Sequence, residues 1–303
     1  MRIDLQIGGY AIRLDEPEGH ACLHWPFGTF DPFVASPIHT PDIAMTVRVV
    51  DRLPEIPHGP VLYDACHGLW KWHAADDGYL LESPNRSTRG PETLALVSED
   101  ITSAVVWILA QAATGKQRTA WTPMHVINPI VEACLLTRLA RDGGLFLHAA
   151  GILTDQGGLA FTGASGAGKS TISDLYASRR ARVLSDERII LRRVERGVQV
   201  FGTPWPGTGR HSRNEQGPLR GLFYVRHGMG GHRLRRMPPS AAAPVILPQC
   251  FLPLWDRRVM DDTLAFLGTL LETLNCFELA FMKSPDVVEF VEEQRLGGAL
   301  VSS

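Results

Sequence analysis

The chain has 303 residues, 45% of them hydrophobic by type, with 30 Lys and Arg against 32 Asp and Glu for a formal net charge of −2. That length holds one large or two modest domains, and the balanced charge argues against nucleic acid as the main partner. No stretch approaches the ~20 apolar residues of a membrane-spanning helix and the start, Met1-Arg-Ile-Asp-Leu-Gln, has no apolar signal-peptide core, so a cytoplasmic protein with no membrane partner is expected.

Charge is unevenly spread. Residues 1–120 carry nine Lys and Arg against fifteen Asp and Glu; residues 121–303 carry twenty-one against seventeen. The five cysteines, Cys22, Cys66, Cys134, Cys250 and Cys276, are scattered and never in C-x-x-C spacing. That argues against a disulfide framework and a zinc site, and for buried reduced thiols.

The first 120 residues read as strand-rich. Short runs at Arg2–Ile7, Tyr10–Leu14, Ile43–Val50, Val61–Tyr63, Leu69–His73 and Tyr79–Glu82 are separated by Gly, Pro or Asp. Trp70-Lys71-Trp72 puts both indoles on one strand face, a pattern that serves core packing more often than peptide binding. Residues 83–92 read as a polar loop. Ser98-Glu-Asp is a helix-start signal, and Ile101–Ala113 is expected to be helical.

A second helix is expected over Pro129–Arg141, stopped by Gly143-Gly144, then a buried strand at Leu145–Ala150 and another at Gly158–Thr162. Ser170–Arg179 reads as a helix with Ile172, Leu175 and Tyr176 on one face. Strands follow at Arg182–Glu187, Ile189–Arg192, Gln199–Phe201 and Leu222–Val225. A Gly/Pro/Arg/His-rich loop is expected over 202–218 and a basic segment over 226–236. Helices are expected at Asp262–Leu274 and Pro285–Gln294, with a frayed tail from Leu296.

Between strand and helix stands Gly163-Ala164-Ser165-Gly166-Ala167-Gly168-Lys169-Ser170, followed by Thr171. This is a complete G-x-x-x-x-G-K-[ST] (Walker A) phosphate loop in its proper context. Glycines let successive N–H groups converge on phosphate oxygens. Lys169 brings charge to the β- and γ-phosphates, and the Ser170 hydroxyl is a Mg²⁺ ligand. Residues 163–171 are therefore the expected nucleotide site, with ATP and Mg²⁺ as cofactors.

Asp186 and Glu187 close the next apolar strand, where a magnesium-ordering carboxylate or a general base belongs. Adjacent strand residues point to opposite faces, so only one faces the phosphates unless the strand has already ended. Which of the two is the base stays open; Asp186 is the candidate metal ligand beside Ser170. Arg210 and Arg213, on the long loop, are candidate substrate-binding cations.

Leu147-His148-Ala-Ala-Gly-Ile, the phosphate loop and Leu184-Ser-Asp-Glu187, in that order, resemble the catalytic domain of the HPr kinase/phosphorylase family. They look closer still to its HPr-kinase-like relatives, among them lasso-peptide tailoring kinases. The likeness covers roughly 125–292. It includes Pro218-Leu-Arg-Gly-Leu, similar to the family's Arg-Gly segment, and Phe277-Glu-Leu-Ala-Phe with Val287-Val-Glu-Phe near the end. The resemblance implies that His148 is the active-site histidine, that Glu187 aligns with the proton-accepting aspartate, and that Arg220 is the segment's catalytic arginine. It also places the family's second magnesium-side glutamate on Pro218, which has no ligand atom; Asn214 or Glu215 are the nearby substitutes.

The expected fold is α/β: a P-loop kinase core of the HPr-kinase type over 121–303, behind a β-rich domain over 1–120 that serves substrate binding. The expected function is ATP-dependent phosphorylation of a serine hydroxyl on a ribosomal precursor peptide. That peptide is expected near loop 202–218 and segment 226–236; whether the chain forms a homo-oligomer stays open. The alternatives are a kinase of free serine or another small hydroxyl metabolite, and a non-catalytic ATP-binding regulator.

Overall fold

The computed structural model describes residues 1–22, 28–65, 70–84, 91–110 and 120–297. The chain forms two compact units: Met1–Arg138 with Pro253–Met260, and Leu139–Leu252 with Asp261–Ser303. The boundary between these units falls at Leu139, and a short later, returning segment belongs to the first unit.

The first unit is built on strands β1 (Arg2–Ile7), β2 (Tyr10–Asp15), β3 (Ala21–Cys22), β4 (Ile43–Val50), β5 (Val61–Asp64), β6 (Lys71–Ala75), β7 (Gly78–Pro84), β8 (Pro91–Ser98), β9 (Ser103–Leu109) and β10 (Ala120–Trp121). Eight of them form one sheet in the order β1-β2-β4-β9-β8-β7-β6-β5, while β3 and β10 pair separately. Period-two patterning explains the sheet: Tyr10, Ile12 and Leu14, then Ile43, Met45, Val47 and Val49, are buried on alternate positions.

The helix expected at Ile101–Ala113 is not formed. Residues 103–109 are β9, paired to β4 and β8, with Ala104, Val106 and Ile108 buried; positions 111–113 lie outside the described residues. Ser98 and Asp100 spend their hydrogen-bonding capacity on a turn instead. Asp100 accepts from Thr102 N at 3.1 Å and from the Ser98 hydroxyl at 2.7 Å, and Ser103 N donates to Ser98 Oγ at 3.1 Å. Such side chains serve turns as readily as helix caps, and the Val-Val-Trp-Ile run suits a pleated surface. Part of the polar loop expected at 83–92 is strand, since β7 reaches Pro84 and β8 starts at Pro91; residues 85–90 lie outside the description.

Trp72 is fully buried and stacks on Trp255 at 5.0 Å, while Trp70 meets the same ring edge-on at 5.4 Å. The tryptophan pair is core packing. Trp255 belongs to the returning segment.

Met124–Val126 (α1) and Glu132–Arg141 (α2) follow, α2 running through the boundary at Leu139, and the regular helix starts three residues later than expected. The second unit contains β11 (Gly144–Thr154), β12 (Gly157–Thr162), α3 (Lys169–Ser178), β13 (Arg182–Ser185), β14 (Arg188–Val194), β15 (Gly197–Phe201), β16 (Gln216–His227), β17 (Arg233–Met237), α4 (Pro239–Ile246), β18 (Cys250–Phe251), α5 (Arg257–Thr273), β19 (Cys276–Phe281) and α6 (Val287–Gly297). Strands β12, β11, β14, β15 and β16 pair in a closed circuit, because β16 returns to lie parallel to β12; β19 and β17 extend it. The loop expected at 202–218 ends at Glu215, where β16 begins. Segment 226–236 holds the end of β16, a short connection and most of β17; the two strands do not pair, because β19 lies between them. Of the tail expected to fray from Leu296, Leu296 and Gly297 continue α6, and the rest lies outside the described residues.

Two apolar layers hold this unit. Leu145, Leu147, Ala160, Leu191 and Leu222 pack with Ile246 of α4 and Phe266 and Leu270 of α5. Ile152, Leu159, Phe161 and Phe223 pack with Ile172 and Tyr176 of α3 and Val287 and Val291 of α6. Leu159 and Phe161 face one layer and Ala160 the other, so β12 is covered on both faces. Cys134, Cys250 and Cys276 are free thiols, their pKa values pushed by burial to about 12, about 12 and about 11.

Candidate active site

The shared core of β12 and α3 fixes strand end and helix start, and loop 163–168 joins them. Gly168 caps α3 at φ +105°, and a Cβ there would stand 2.8 Å from the Phe281 ring. Only glycine meets both conditions. Ala164, Ser165 and Gly166 are exposed, while Ser170 and Thr171 lie half-buried in the first turn of α3. Lys169 is 7% exposed, and its ammonium donates to the carbonyls of Gly163 at 2.8 Å and Ala164 at 3.2 Å. Burial lowers its pKa, and the charge of Glu187 opposes that shift.

Strand β13 ends at Ser185, so both acids have left the strand and alternation no longer separates them. The Ser185 hydroxyl accepts the N–H groups of Glu187 and Arg188, each at 3.3 Å, and turns the chain into β14. Asp186 is 1% exposed. Its Oδ1 accepts Gly207 N at 3.0 Å and its Oδ2 accepts Gly209 N at 2.7 Å. A Cβ on Gly209 would stand 2.8 Å from that oxygen, so glycine is what lets the loop sit on the acid.

Glu187 is more open. Its Oε1 lies 3.2 Å from His148 Nδ1, and the same nitrogen lies 3.1 Å from the Glu187 carbonyl oxygen. A carbonyl only accepts, so we assign the proton to Nδ1, which leaves Nε2 as the lone-pair nitrogen. Burial and the charges of Lys169 and Arg188 lower the His148 pKa against the pull of Glu187. The imidazole is therefore neutral at pH 7. His148, Glu187 and Lys169 thus come together electrostatically, with Asp186 one residue away as the anchor of loop 202–215.

The arginines divide. Arg210, at φ +57° on the loop, is exposed and has no side-chain partner among the described residues. Arg213 lies 3.4 Å from Glu215, which also takes Arg182 at 2.8 Å, so Glu215 is committed to two cations. Arg220 is not brought to the cluster. The parallel register pairs Leu219 with Gly158 and Tyr224 with Thr162. Arg220 therefore flanks the start of β12, about 13 Å of strand rise from the end that bears the loop. Pro218 pairs with Gln199 and is exposed.

Three neighbours were not foreseen. Arg188 sits cross-strand from His148, its guanidinium 5.1 Å above the Phe251 ring. His211 Nε2 lies 3.5 Å from Asp174 of α3. His227 Nε2 lies 2.8 Å from the Gly166 carbonyl oxygen. Arg188 was the most accessible to inference, since it follows the acid pair directly; His227 depends on strand register and His211 on the path of the loop.

The oxygen donors of Ser170, Asp186 and Glu187 are hard ligands of the kind Mg²⁺ takes. A carboxylate offers about four lone-pair sites, and each Asp186 oxygen accepts one loop amide. Capacity for a cation therefore remains, and this donor chemistry fits Mg²⁺.

Among the described residues, no helix is long and apolar enough to cross a membrane. No protein-family model and no curated protein matches the chain. Among solved structures, the chain is similar to the HPr(Ser) kinase/phosphatase of Coxiella burnetii at 14% identity and a TM-score of 0.32, over 51% of this chain and 98% of that one.

Proposed function

We propose that this chain is an ATP-dependent kinase that phosphorylates a hydroxyl group. The observation that carries the reading is the convergence of Glu187 with His148, at 3.2 Å, under the electrostatic influence of Lys169 at the foot of a Walker A loop. Backbone N–H groups of 163–168 and the N-terminus of α3 receive the phosphates. Lys169 exchanges its two loop carbonyls for phosphate oxygens. Ser170 and Asp186 would hold Mg²⁺, which when bound would supply charge neutralisation for phosphoryl transfer.

Glu187 accepts the hydroxyl proton as the acceptor oxygen bonds to the γ-phosphorus and the bond to ADP breaks. The His148 Nδ1–H orients that carboxylate. Asp186 keeps loop 202–215 beside it. We take the acceptor to be a serine hydroxyl of a ribosomal precursor peptide, as for lasso-peptide tailoring kinases. The exposed, unpartnered Arg210 is suited to a peptide carboxylate or to phosphate already transferred, with Arg213 beside it. Arg220 then acts on the fold of β16 rather than on the phosphates.

A non-catalytic regulator is the second reading, and one observation favours it: both Asp186 oxygens already hold loop amides. The deciding experiment mixes purified protein, Mg-ATP and acceptors, and reads mass. A phosphate gained by a peptide supports the proposal, and phosphorylation of free serine alone reassigns the acceptor. No transfer at all, with ATP protecting 202–215 from protease, selects the regulator.

A further inference from the structure

Resting on the reading that loop 163–168 holds a nucleotide's phosphates, the connection from β16 to β17, which passes the end of β19, assigns a place to the rest of that nucleotide. A base is tethered to its phosphates, so it must lie on surface adjoining the loop. This connection adjoins it through three contacts: His227 Nε2 to Gly166 O at 2.8 Å, Gly228 N to Phe281 O at 2.8 Å, and the Phe281 ring against Gly168.

In this connection Met229 is 92% exposed, between Gly228 and Gly230 (φ +77°) and ahead of Gly231 (φ +126°). Met282, 46% exposed, follows Phe281, and its sulfur accepts Gly231 N at 3.2 Å. Beneath them His232 is fixed: Nδ1 accepts Met282 N at 3.3 Å, Nε2 lies 3.3 Å from Asp286, and the ring lies 5.5 Å from Phe290. Two exposed thioethers, one on this connection and one just after β19, thus stand next to the loop. Exposed thioethers are costly to leave in water and well suited to an aromatic face, because sulfur is polarizable and the side chain adapts.

We propose that Met229 and Met282 form a nucleobase subsite that packs against the face of the base without reading its hydrogen-bonding edge. The subsite accepts adenine and guanine alike, because thioethers supply no edge-specific donors.

Calorimetric titration of the full chain with ATP, GTP and inorganic tripolyphosphate tests this. Met229→Ser should raise the Kd for ATP and GTP about tenfold, equivalent to about 1.4 kcal/mol, and leave tripolyphosphate binding unchanged. Met282→Ser should act in the same direction. An unchanged melting temperature confirms that an exposed side chain was altered and nothing more. If ATP binding ignores both substitutions, or tripolyphosphate weakens equally, the subsite is wrong while the phosphate loop stands. If wild type separates ATP from GTP by more than about a hundredfold, packing without edge readout is wrong. If wild type binds neither ATP nor tripolyphosphate, the loop reading fails and takes the subsite with it.

Discussion

Each unit contains a buried carboxylate that gathers loop amides, and the two do so at different range. Glu16, in the first unit, accepts the N–H groups of Glu18, Gly19 and His20, each at 3.0 Å, and lies 2.9 Å from the His20 ring. All its partners in that turn lie within four residues. Asp186 reaches Gly207 and Gly209, 21 and 23 residues away. A local clamp stabilises its own turn. A long-range clamp ties a whole loop to one point, and here that point adjoins Glu187, His148 and Lys169. Glu16, Glu18 and His20 bring three ligand-type atoms within 4.8 Å of one another, yet the Glu16 oxygens serve the turn. Proximity of acids is therefore less informative than what their lone pairs already hold.

The comparison breaks first at Lys169. Lys169→Ala should cut phosphoryl transfer about a thousandfold or more while the melting temperature changes little. Loss of less than about tenfold, or ~1.4 kcal/mol of barrier, would remove the loop from the mechanism. Glu187→Gln comes next. It should lower turnover by about 10²–10⁴ with the Kd for ATP nearly unchanged. A large loss of ATP affinity instead would make Glu187 the metal-side acid.

The third test sets the two clamps against each other. In Asp186→Asn an amide NH₂ must oppose a loop N–H, an unsatisfied contact that costs about 1–3 kcal/mol. Limited proteolysis should open 202–215, and both turnover and Mg-dependent nucleotide affinity should fall. Glu16→Gln should lower the melting temperature by a similar mechanism and leave nucleotide affinity untouched. If Asp186→Asn behaves like Glu16→Gln, the long-range clamp is structural only.

The strand–loop–helix at 157–178 was legible because glycine spacing and apolar faces are local signals. The acid pair was legible for the same reason, although not that Asp186 would turn to the loop and Glu187 to His148. That choice depends on β13 ending at Ser185, which the apolar run did not reveal. The 101–113 helix was misread because Ser98 and Asp100 cap turns and helices with the same hydrogen bonds. Arg220, Trp255 and His227 were beyond local reading altogether. Their neighbours are set by parallel register or by a returning segment, both of which are long-range facts. The helix at Pro239–Ile246 was missed despite proline in its first turn and an alanine run, signals that were present.

The smallest expected effect separates the site from its scaffold by pH. His148 has its pKa lowered in the folded state, by burial first and then by Lys169. In the unfolded chain an ordinary histidine titrates near about 6.5. As pH falls through that value the unfolded chain takes up a proton that folded His148 resists. The unfolded state then binds more protons, so stability falls as pH drops from about 6.5 toward the folded pKa, and rises again with pH. Asp4 and Glu16 act in a different window. Burial alone would raise both, but Arg13, Ile38 N–H and Arg2 outweigh it at Asp4, and His20 with neighbouring groups does so at Glu16. Their folded pKa values are lowered, so their stabilisation is present above the ordinary carboxylate range and is lost only as pH falls through the folded values. Thermal unfolding measured from about pH 7.5 to about pH 5 therefore reports on the two histidines whose pKa values burial lowers, His148 and His125. His148→Gln should remove the His148 share of that slope, keeping the share of His125, and leave the acid limb below about pH 4 in place. A slope unchanged by His148→Gln would mean that His148 is protonated as readily in the folded chain as in the unfolded one, and its neutral, Nδ1–H role beside Glu187 would fall.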